Sequence, residues 1–234
     1  MIEQIAEGLY LVHGANRGRF PWSHSILAAG DRTVLFDTGC GEPAREWLHL
    51  VRDVLGHVPT APTGTFREGD IIDTGPLRFR ALHTPGHTAD HFCFVEEEMG
   101  ILLSFDIDPT PFGPWYGHDE CDLDQFCASL HRIQELRPSM VVSSHRRPLS
   151  DGIEEEIAAF DAVFVRRNEK IVSMLEAGPA LPEELAELSP FYGVPQNDFA
   201  LARYFEARMI EKHLELLARR GLALRSKGVS YSLS

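Results

Sequence analysis

The sequence of 234 residues has few cysteines, little positive charge and no long apolar run. Its four cysteines are Cys40, Cys93, Cys121 and Cys127. Their spacing matches neither a C-x-x-C metal motif nor a dense disulfide framework, which predicts reduced thiols. The 22 basic and 35 acidic residues give a formal net charge of −13, which disfavours binding to nucleic acid and to anionic membranes. These absences disfavour a disulfide scaffold and a basic nucleic-acid coat protein.

The sequence also lacks signals that would direct it to a membrane. No stretch approaches the roughly 20 consecutive apolar residues of a membrane-spanning helix. Residues 1–14 carry acidic side chains where a signal peptide needs a basic start and an uninterrupted apolar segment. We therefore expect a cytoplasmic protein. Hydrophobic residues make up 44% of the chain, which is enough for one sizeable core with a small annex.

Short β-prone runs separated by turn residues dominate the first part of the chain, and helical spacing dominates the rest. The predicted strands cover residues 9–13, 23–29, 33–36, 71–72, 77–83, 92–95, 101–104 and 140–143. The predicted helices cover residues 42–55, 122–136, 153–175, 182–188 and 197–220, and residues 222–234 have the pattern of a hairpin. This order predicts an α/β domain of residues 1–176 followed by a helical annex of residues 177–234.

Side chains that can bind metal follow three apolar strands at the point where each strand ends. His87 lies in a stiff Pro-Gly turn, and Asp106 and His145 each follow an apolar run directly. Because such strand ends can meet at one edge of a sheet, the three side chains could share a divalent ion. Taken singly, each residue has an ordinary alternative: a solvated loop histidine, a turn-forming aspartate and a surface histidine.

A fourth polar residue, Asp37, ends the strand of residues 33–36 in the same way. The segment Asp37-Thr38-Gly39 also matches the motif of aspartic proteases, whose chemistry needs two such carboxylates sharing a proton. The only other copy, Asp73-Thr74-Gly75, lies in a predicted hairpin turn, and no aromatic flap accompanies it. The sequence therefore favours a supporting role for Asp37 over a protease.

Residues 8–150 resemble the metallo-β-lactamase superfamily in the order and spacing of these motifs. The most specific segment is His83-Thr84-Pro85-Gly86-His87-Thr88, and Ser104-Phe105-Asp106 and Ser144-His145 follow in the same order. The resemblance implies an αβ/βα sandwich that binds one or two divalent metals, most commonly zinc, with iron and manganese as alternatives. It implies His87 as a ligand of the first metal, Asp106 as the bridging carboxylate and His145 as a ligand of the second. Asp37 and His83 would help to position these ligands without binding the metal themselves.

The sequence departs from this superfamily at its main ligand motif. The motif His-x-His-x-Asp-His, which supplies two ligands to each metal, is absent, and the lone His57 is not followed by it. Three remaining ligands that normally serve two metals predict weak metal binding. Either the chain is a rebuilt member with an incomplete N-terminal half, or a segment of the natural protein is missing from it.

Two further segments suggest a substrate surface. The residues after 150 resemble the winged-helix-like annex of glyoxalase-II-like and endoribonuclease-like relatives, which implies a platform for substrate or for a second subunit. A packed helical cap is the alternative. Trp115 and Tyr116 follow Asp106 in a Gly/Pro-rich loop and are expected to face substrate, with an aromatic plug in the core as the alternative.

The resemblance implies a metal-dependent hydrolase, in which activated water attacks an ester, thioester, amide or phosphodiester in a small-molecule substrate. Asp106 and Asp37 would orient the water. A non-catalytic protein that binds a partner or small molecule through an eroded metal site is the alternative. Metal content and turnover that is sensitive to chelators distinguish the two functions.

An incomplete half of a sandwich would expose apolar surface and a sheet edge that a second chain can cover. We therefore expect a dimer or a larger homo-oligomer. Size-exclusion chromatography with light scattering should return at least about twice the chain mass of 26.2 kDa. A well-behaved monomer would contradict this expectation.

Overall fold

The computed structural model describes residues 1–18, 22–37, 65–193, 200–226 and 230–234. The chain divides into two compact units. Unit 1 comprises Met1–His83, Phe92–Thr110 and Ile133–Glu155. Unit 2 comprises Thr84–His91, Pro111–Arg132 and Glu156–Ser234. The predicted domain boundary at residue 176 stays a prediction, and the predicted helix of residues 42–55, with His57, lies outside the described residues.

The described residues of unit 1 form two sheets. The first is antiparallel, in the order β1 (Ile2–Ala6), β2 (Leu9–Val12), β3 (Ser25–Ala28) and β4 (Val34–Phe36). The second contains β5 (Ile71–Asp73), β6 (Arg78–His83), β7 (Phe92–Glu96), β8 (Ile101–Phe105) and β9 (Met140–Ser143) in chain order. Among the described strands of this second sheet, β8 and β9 pair in parallel and the other neighbours pair antiparallel. All predicted strands are confirmed, whereas β1 was not predicted because its residues alternate weakly.

The core of unit 1 lies between these two sheets. Apolar residues two positions apart fill it, such as Ile26 and Ala28 from the first sheet and Phe79 and Ala81 from the second. This spacing puts alternate side chains on the same face of a strand. The Phe36 ring lies 5.2 Å from that of Phe79, between centroids, so aromatic packing joins the sheets. The predicted α/β sandwich is confirmed.

Four described helices accompany the sheets: α1 (Leu123–Leu136), α2 (Ile153–Leu175), α3 (Pro182–Glu187) and α4 (Ala200–Arg219). Helix α1 begins after Asp122, whose carboxylate accepts a hydrogen bond from the backbone N–H of Gln125 at 3.0 Å, as an N-cap residue does. It connects β8 to β9, as a parallel pair requires. None of the described helices is both long and apolar enough to cross a membrane.

The C-terminal part of unit 2 has its own core. Helices α2, α3 and α4 and the hairpin of β10 (Ala223–Arg225) and β11 (Tyr231–Leu233) all contribute to it. Its buried members include Ile171, Leu175, Leu185, Ile210, Leu214 and Tyr231. This arrangement confirms the predicted helical annex with its terminal hairpin. The predicted cap residue Asn197 lies outside the described residues.

A buried arginine interrupts the apolar stripe of α2. The guanidinium of Arg167 donates hydrogen bonds to the carbonyl oxygens of Pro114 and Phe112 at 2.7 and 3.1 Å. It also donates to the hydroxyl of Tyr116 at 2.8 Å. Because a buried charge is tolerated only when hydrogen-bonded, these contacts explain how Arg167 occupies a core position. They tie the loop of residues 111–117 to α2.

The same network includes a fully buried histidine. His213 donates from Nδ1 to Oδ1 of Asn168 at 2.7 Å, and its Nε2 accepts the hydroxyl proton of Tyr116 at 2.6 Å. Burial, and after it the charge of Arg167, lower the pKa of His213 from 6.5 to about 3. The ring is therefore neutral at physiological pH.

The stability of the protein should consequently fall as the pH drops below 6.5. Between this pH and about 3 the unfolded chain protonates residue 213 whereas the folded chain does not, so protons favour unfolding. The slope is up to about 1.4 kcal/mol per pH unit for one proton. Urea unfolding at several pH values should show a smaller slope in His213→Gln. The control His131→Gln, at a position with a 63% exposed side chain, should keep the wild-type slope. An unchanged slope in His213→Gln would contradict the prediction.

Candidate functional site

Three predicted site residues come together in unit 1, where β4, β8 and β9 end. Nε2 of His145 lies 3.3 Å from Oδ1 of Asp106. The hydroxyl of Ser144 donates to Oδ2 of Asp37 at 3.1 Å, which links β4 of the first sheet to the end of β9. We call Asp37, Asp106, Asp108, Ser143, Ser144 and His145 the strand-end cluster. These strands thus deliver Asp37, Asp106 and His145 to one place, and the roles of the three side chains stay predictions.

The backbone reaches this arrangement through unusual conformations. Asp37 and Phe105 have φ angles of +57° and +48°, which residues other than glycine rarely adopt. The pairing of β8 with β9 also shifts register between Leu103 and Phe105. Each left-handed residue costs on the order of 1–3 kcal/mol, and such strain concentrates at functional sites. Of these two residues, Asp37 belongs to the strand-end cluster and Phe105 directly precedes Asp106.

Hydrogen bonds on both ring nitrogens orient His145. Nδ1 donates to the carbonyl oxygen of Gly18 at 2.6 Å, and Nε2 faces Asp106. Burial lowers the pKa of His145, but the hydrogen bonds to Asp106 and Gly18 and the charges of Asp106 and Asp108 outweigh it and raise the pKa to about 9. In the absence of metal the two side chains therefore form an ion pair at neutral pH.

The cluster holds a third carboxylate, Asp108, which the sequence pattern does not single out. Asp108 is buried, and it accepts a hydrogen bond from the hydroxyl of Ser143. Burial raises its pKa to about 6, against the opposing effects of the Ser143 hydrogen bond and the nearby charges of His145 and Arg146. The only signal in the sequence is its position two residues after Asp106, past the end of a strand.

Unit 2 holds the other predicted ligand, His87, on the turn that follows β6. Its Nδ1 donates to the carbonyl oxygen of Trp115 at 3.0 Å. Gly86 has a φ of +132°, and a Cβ there would lie 2.3 Å from the backbone nitrogen of Phe126 in α1. Only glycine fits so close to the helix, so the turn that presents His87 is held tightly. A role for His87 as a ligand stays a prediction.

The remaining predicted residues differ in their surroundings. Trp115 is half-buried, and its ring lies 4.7 Å from that of His118 and 5.5 Å from that of Phe205. Tyr116 is fully buried with its hydroxyl in the Arg167 network, which agrees with the alternative of an aromatic plug and does not support contact with substrate. His83 packs its ring against Phe92 at 4.9 Å, and its supporting role stays a prediction.

The strand-end cluster has donors suited to a divalent ion, but they are few. Asp106 and His145 offer a carboxylate oxygen and an imidazole nitrogen, and the carbonyl of Gly18 holds the other ring nitrogen as is usual for a metal-ligating histidine. Catalytic zinc sites have three protein ligands. Within the part of the chain that the structure describes, no group of three His, Cys, Asp or Glu side chains is placed to hold a metal ion. Two donors therefore fit, and a third is not identified.

Comparisons with known proteins agree with this architecture, although no family model matches the chain. The chain is similar to a lactamase-like protein of Pestalotiopsis fici, at 25% identity over 45% of this chain and 46% of that protein. It is similar to an atrochrysone carboxyl ACP thioesterase of Pseudocercospora fijiensis, at 24% identity over 74% of this chain and 62% of that protein. The crystal structure of a metallo-β-lactamase family protein from Thermus thermophilus gives a TM-score of 0.80 at 20% identity, covering 99% of this chain and all of that one.

These similarities confirm the resemblance that the strand-end motifs indicated. The chain has the metallo-β-lactamase fold, and the curated proteins that it is similar to are lactamase-like proteins and thioesterases. It spans between 46% and 62% of the length of four of the curated relatives that it matches.

Replacing Asp106 by asparagine removes the carboxylate that faces Nε2 of His145. In the metal-free protein we expect the pKa of His145 to fall from about 9 to about 6.5 or below. Burial lowers this pKa, and the hydrogen bond and negative charge of Asp106 no longer oppose that effect in the variant. An NMR titration of the His145 ring measures this change. The control Asp151→Asn, at an exposed position, should leave the titration unchanged. A pKa that stays near 9 in Asp106→Asn would contradict the importance of the ion pair.

Proposed function

We propose that this chain is a metal-dependent hydrolase that cleaves acyl thioesters of small molecules at the strand-end cluster. The observation that supports the proposal most strongly is the pairing of Asp106 with His145 at 3.3 Å, with the other ring nitrogen of His145 held by a backbone carbonyl. Both side chains are partly exposed, at 39% and 26% respectively, so a small substrate can reach them.

The chemistry of the donors supports a divalent ion such as Zn²⁺, with iron or manganese as alternatives. Asp106 and His145 would hold the ion. When bound, such an ion supplies a water of lowered pKa and stabilises negative charge on the substrate. The weak binding expected from a small ligand set makes metal occupancy sensitive to chelators.

The protein's own carboxylates would orient and deprotonate the attacking water. Asp37 is kept in place by Ser144, and Asp106 by His145. In thioester hydrolysis the water oxygen forms a bond to the acyl carbon, the carbon–sulfur bond breaks, and the thiolate leaves. One proton of the water passes to a carboxylate, which then transfers it to the departing thiolate, so that a carboxylic acid and a thiol are the products and the carboxylate is regenerated. A carboxylate within reach of the water is what general-base catalysis requires.

The choice of a thioester is supported by one of the similar proteins, which is named an ACP thioesterase. Its acyl group and its carrier are properties of that protein, and the fold alone does not determine the substrate. Oxygen esters, amides and phosphodiesters remain the other substrate classes to compare.

One observation favours the alternative of a non-catalytic binding protein. The described residues contain no complete set of metal ligands, and the sequence lacks the motif His-x-His-x-Asp-His. A site that has lost metal ligands in this way could still bind a small molecule without turning it over.

Hydrolysis of S-acyl N-acetylcysteamine thioesters tests the proposal, with matched oxygen esters for comparison. We expect turnover that EDTA abolishes and that added Zn²⁺, Fe²⁺ or Mn²⁺ restores. Asp106→Asn and His145→Gln should each lose about 100-fold or more in kcat/KM, because each removes a donor from the reacting centre. The exposed control Asp151→Asn should keep wild-type activity.

Two results would overturn the proposal. Turnover that is insensitive to chelators and to both variants would place the reaction elsewhere. A purified protein with no bound metal and no turnover of any substrate class after metal addition would favour the binding protein.

A further inference from the structure

We propose that Gly18 and His24 are positioning residues for His145, because the Gly18 carbonyl sets the orientation of the imidazole and the His24 ring sets the place of that carbonyl. This inference rests on the proposed function in one respect only, namely that His145 belongs to the reacting centre. The contacts that carry it lie entirely within unit 1.

The carbonyl of Gly18 determines which nitrogen of His145 faces the cluster. Gly18 ends a single 3-10 turn, Ala15–Gly18, and its carbonyl oxygen lies 2.6 Å from Nδ1 of His145. A carbonyl only accepts hydrogen bonds, so Nδ1 carries a proton and Nε2 is the nitrogen directed at Asp106. If the imidazole were flipped about its Cβ–Cγ bond, Nε2 would no longer face Asp106.

The ring of His24 lies directly behind Gly18. A Cβ at position 18 would lie 2.5 Å from both Cε1 and Nε2 of that ring, which is closer than side chains approach one another. Gly18 also has a φ of +74°, which favours glycine. The absence of a side chain at position 18 is therefore what allows the turn to pack against His24.

His24 is itself tied to both segments that meet here. Its Nδ1 accepts the backbone N–H of Gly14 at 3.0 Å, which anchors the start of the turn. Its backbone N–H donates to the carbonyl of Ser144 at 2.6 Å, one residue before His145. The side chain is 2% exposed, so these contacts are shielded from water. His24 thus fixes the distance between the turn Ala15–Gly18, which supplies the acceptor carbonyl, and the end of β9, which bears His145.

A matched pair of glycine variants separates this contact from simple backbone strain. Gly69 also lies in unit 1 and has a φ of +83°, but a Cβ there would meet nothing within 4 Å. Gly18→Ala and Gly69→Ala therefore carry a similar conformational cost, and only Gly18→Ala displaces the turn from the His24 ring.

The test follows the Nδ1–H proton of His145 by NMR in metal-free protein with labelled histidine. In the wild type this proton should be shifted downfield and protected from exchange with water. In Gly18→Ala we expect exchange at least about 10-fold faster, and in Gly69→Ala the wild-type rate. Calorimetric titration with Zn²⁺ alone should show binding weakened by about 10-fold or more in Gly18→Ala only.

A second variant covers the case in which Gly18→Ala does not fold. His24→Asn keeps a side-chain acceptor for the Gly14 N–H but removes the ring behind Gly18, so it should also accelerate exchange. In the double variant Gly18→Ala/His24→Asn the added methyl group has room, and the exchange rate should not rise further than in His24→Asn.

Equal effects of Gly18→Ala and Gly69→Ala, or a protected Nδ1–H in both Gly18→Ala and His24→Asn, would overturn the inference. Because the NMR measurement needs neither metal nor substrate, its outcome is independent of hydrolase activity. The protein could prove inactive while its Nδ1–H proton is protected in the wild type and exchanges faster in the variants as described. That result would refute the proposed function and leave the positioning role intact.

Discussion

The parallel pairing of β8 with β9 is the constraint on which the candidate site depends. Parallel neighbours end at the same edge of a sheet, and the crossover through α1 makes this pairing feasible. The residues that follow the two strands, Asp106 and His145, therefore become neighbours although they are distant in sequence. Phe105 has a left-handed conformation and the register shifts beside it, immediately before Asp106. The face-to-face packing of the two sheets brings β4, and with it Asp37, to the same place.

The two histidines predicted as ligands share one arrangement. His87 donates from Nδ1 to the Trp115 carbonyl, and His145 donates from Nδ1 to the Gly18 carbonyl. In both, a backbone acceptor on a neighbouring loop binds Nδ1 and so fixes the orientation of the ring, which is the usual arrangement of metal-ligating histidines. The loops that supply these carbonyls are themselves braced by buried polar side chains, Arg167 in unit 2 and His24 in unit 1. In each unit, buried hydrogen bonds therefore help to orient an imidazole.

The sequence predicted the strands and the strand-end residues well because both depend on local pattern. Alternating apolar residues such as Phe79 and Ala81 define a strand face, and a polar residue directly after such a run, as at Asp106, marks its end. Contacts between distant segments could not be predicted in this way. Nothing near His24 or Gly18 in the sequence indicates that they meet the end of β9. Tyr116 was expected to face substrate and is buried instead, because hydrogen bonds from Arg167 and to His213 satisfy its hydroxyl inside the core.

The central claim is that Asp106 and His145 together form the core of a metal-binding reacting centre. Titration of the histidine-labelled protein with Zn²⁺, followed by ¹⁵N NMR, tests it most directly. The account predicts that Nε2 of His145 shifts to a metal-bound resonance while Nδ1 keeps its proton, and that Asp106→Asn greatly weakens this response. A His145 resonance that does not change at Zn²⁺ concentrations that saturate the protein would contradict the account.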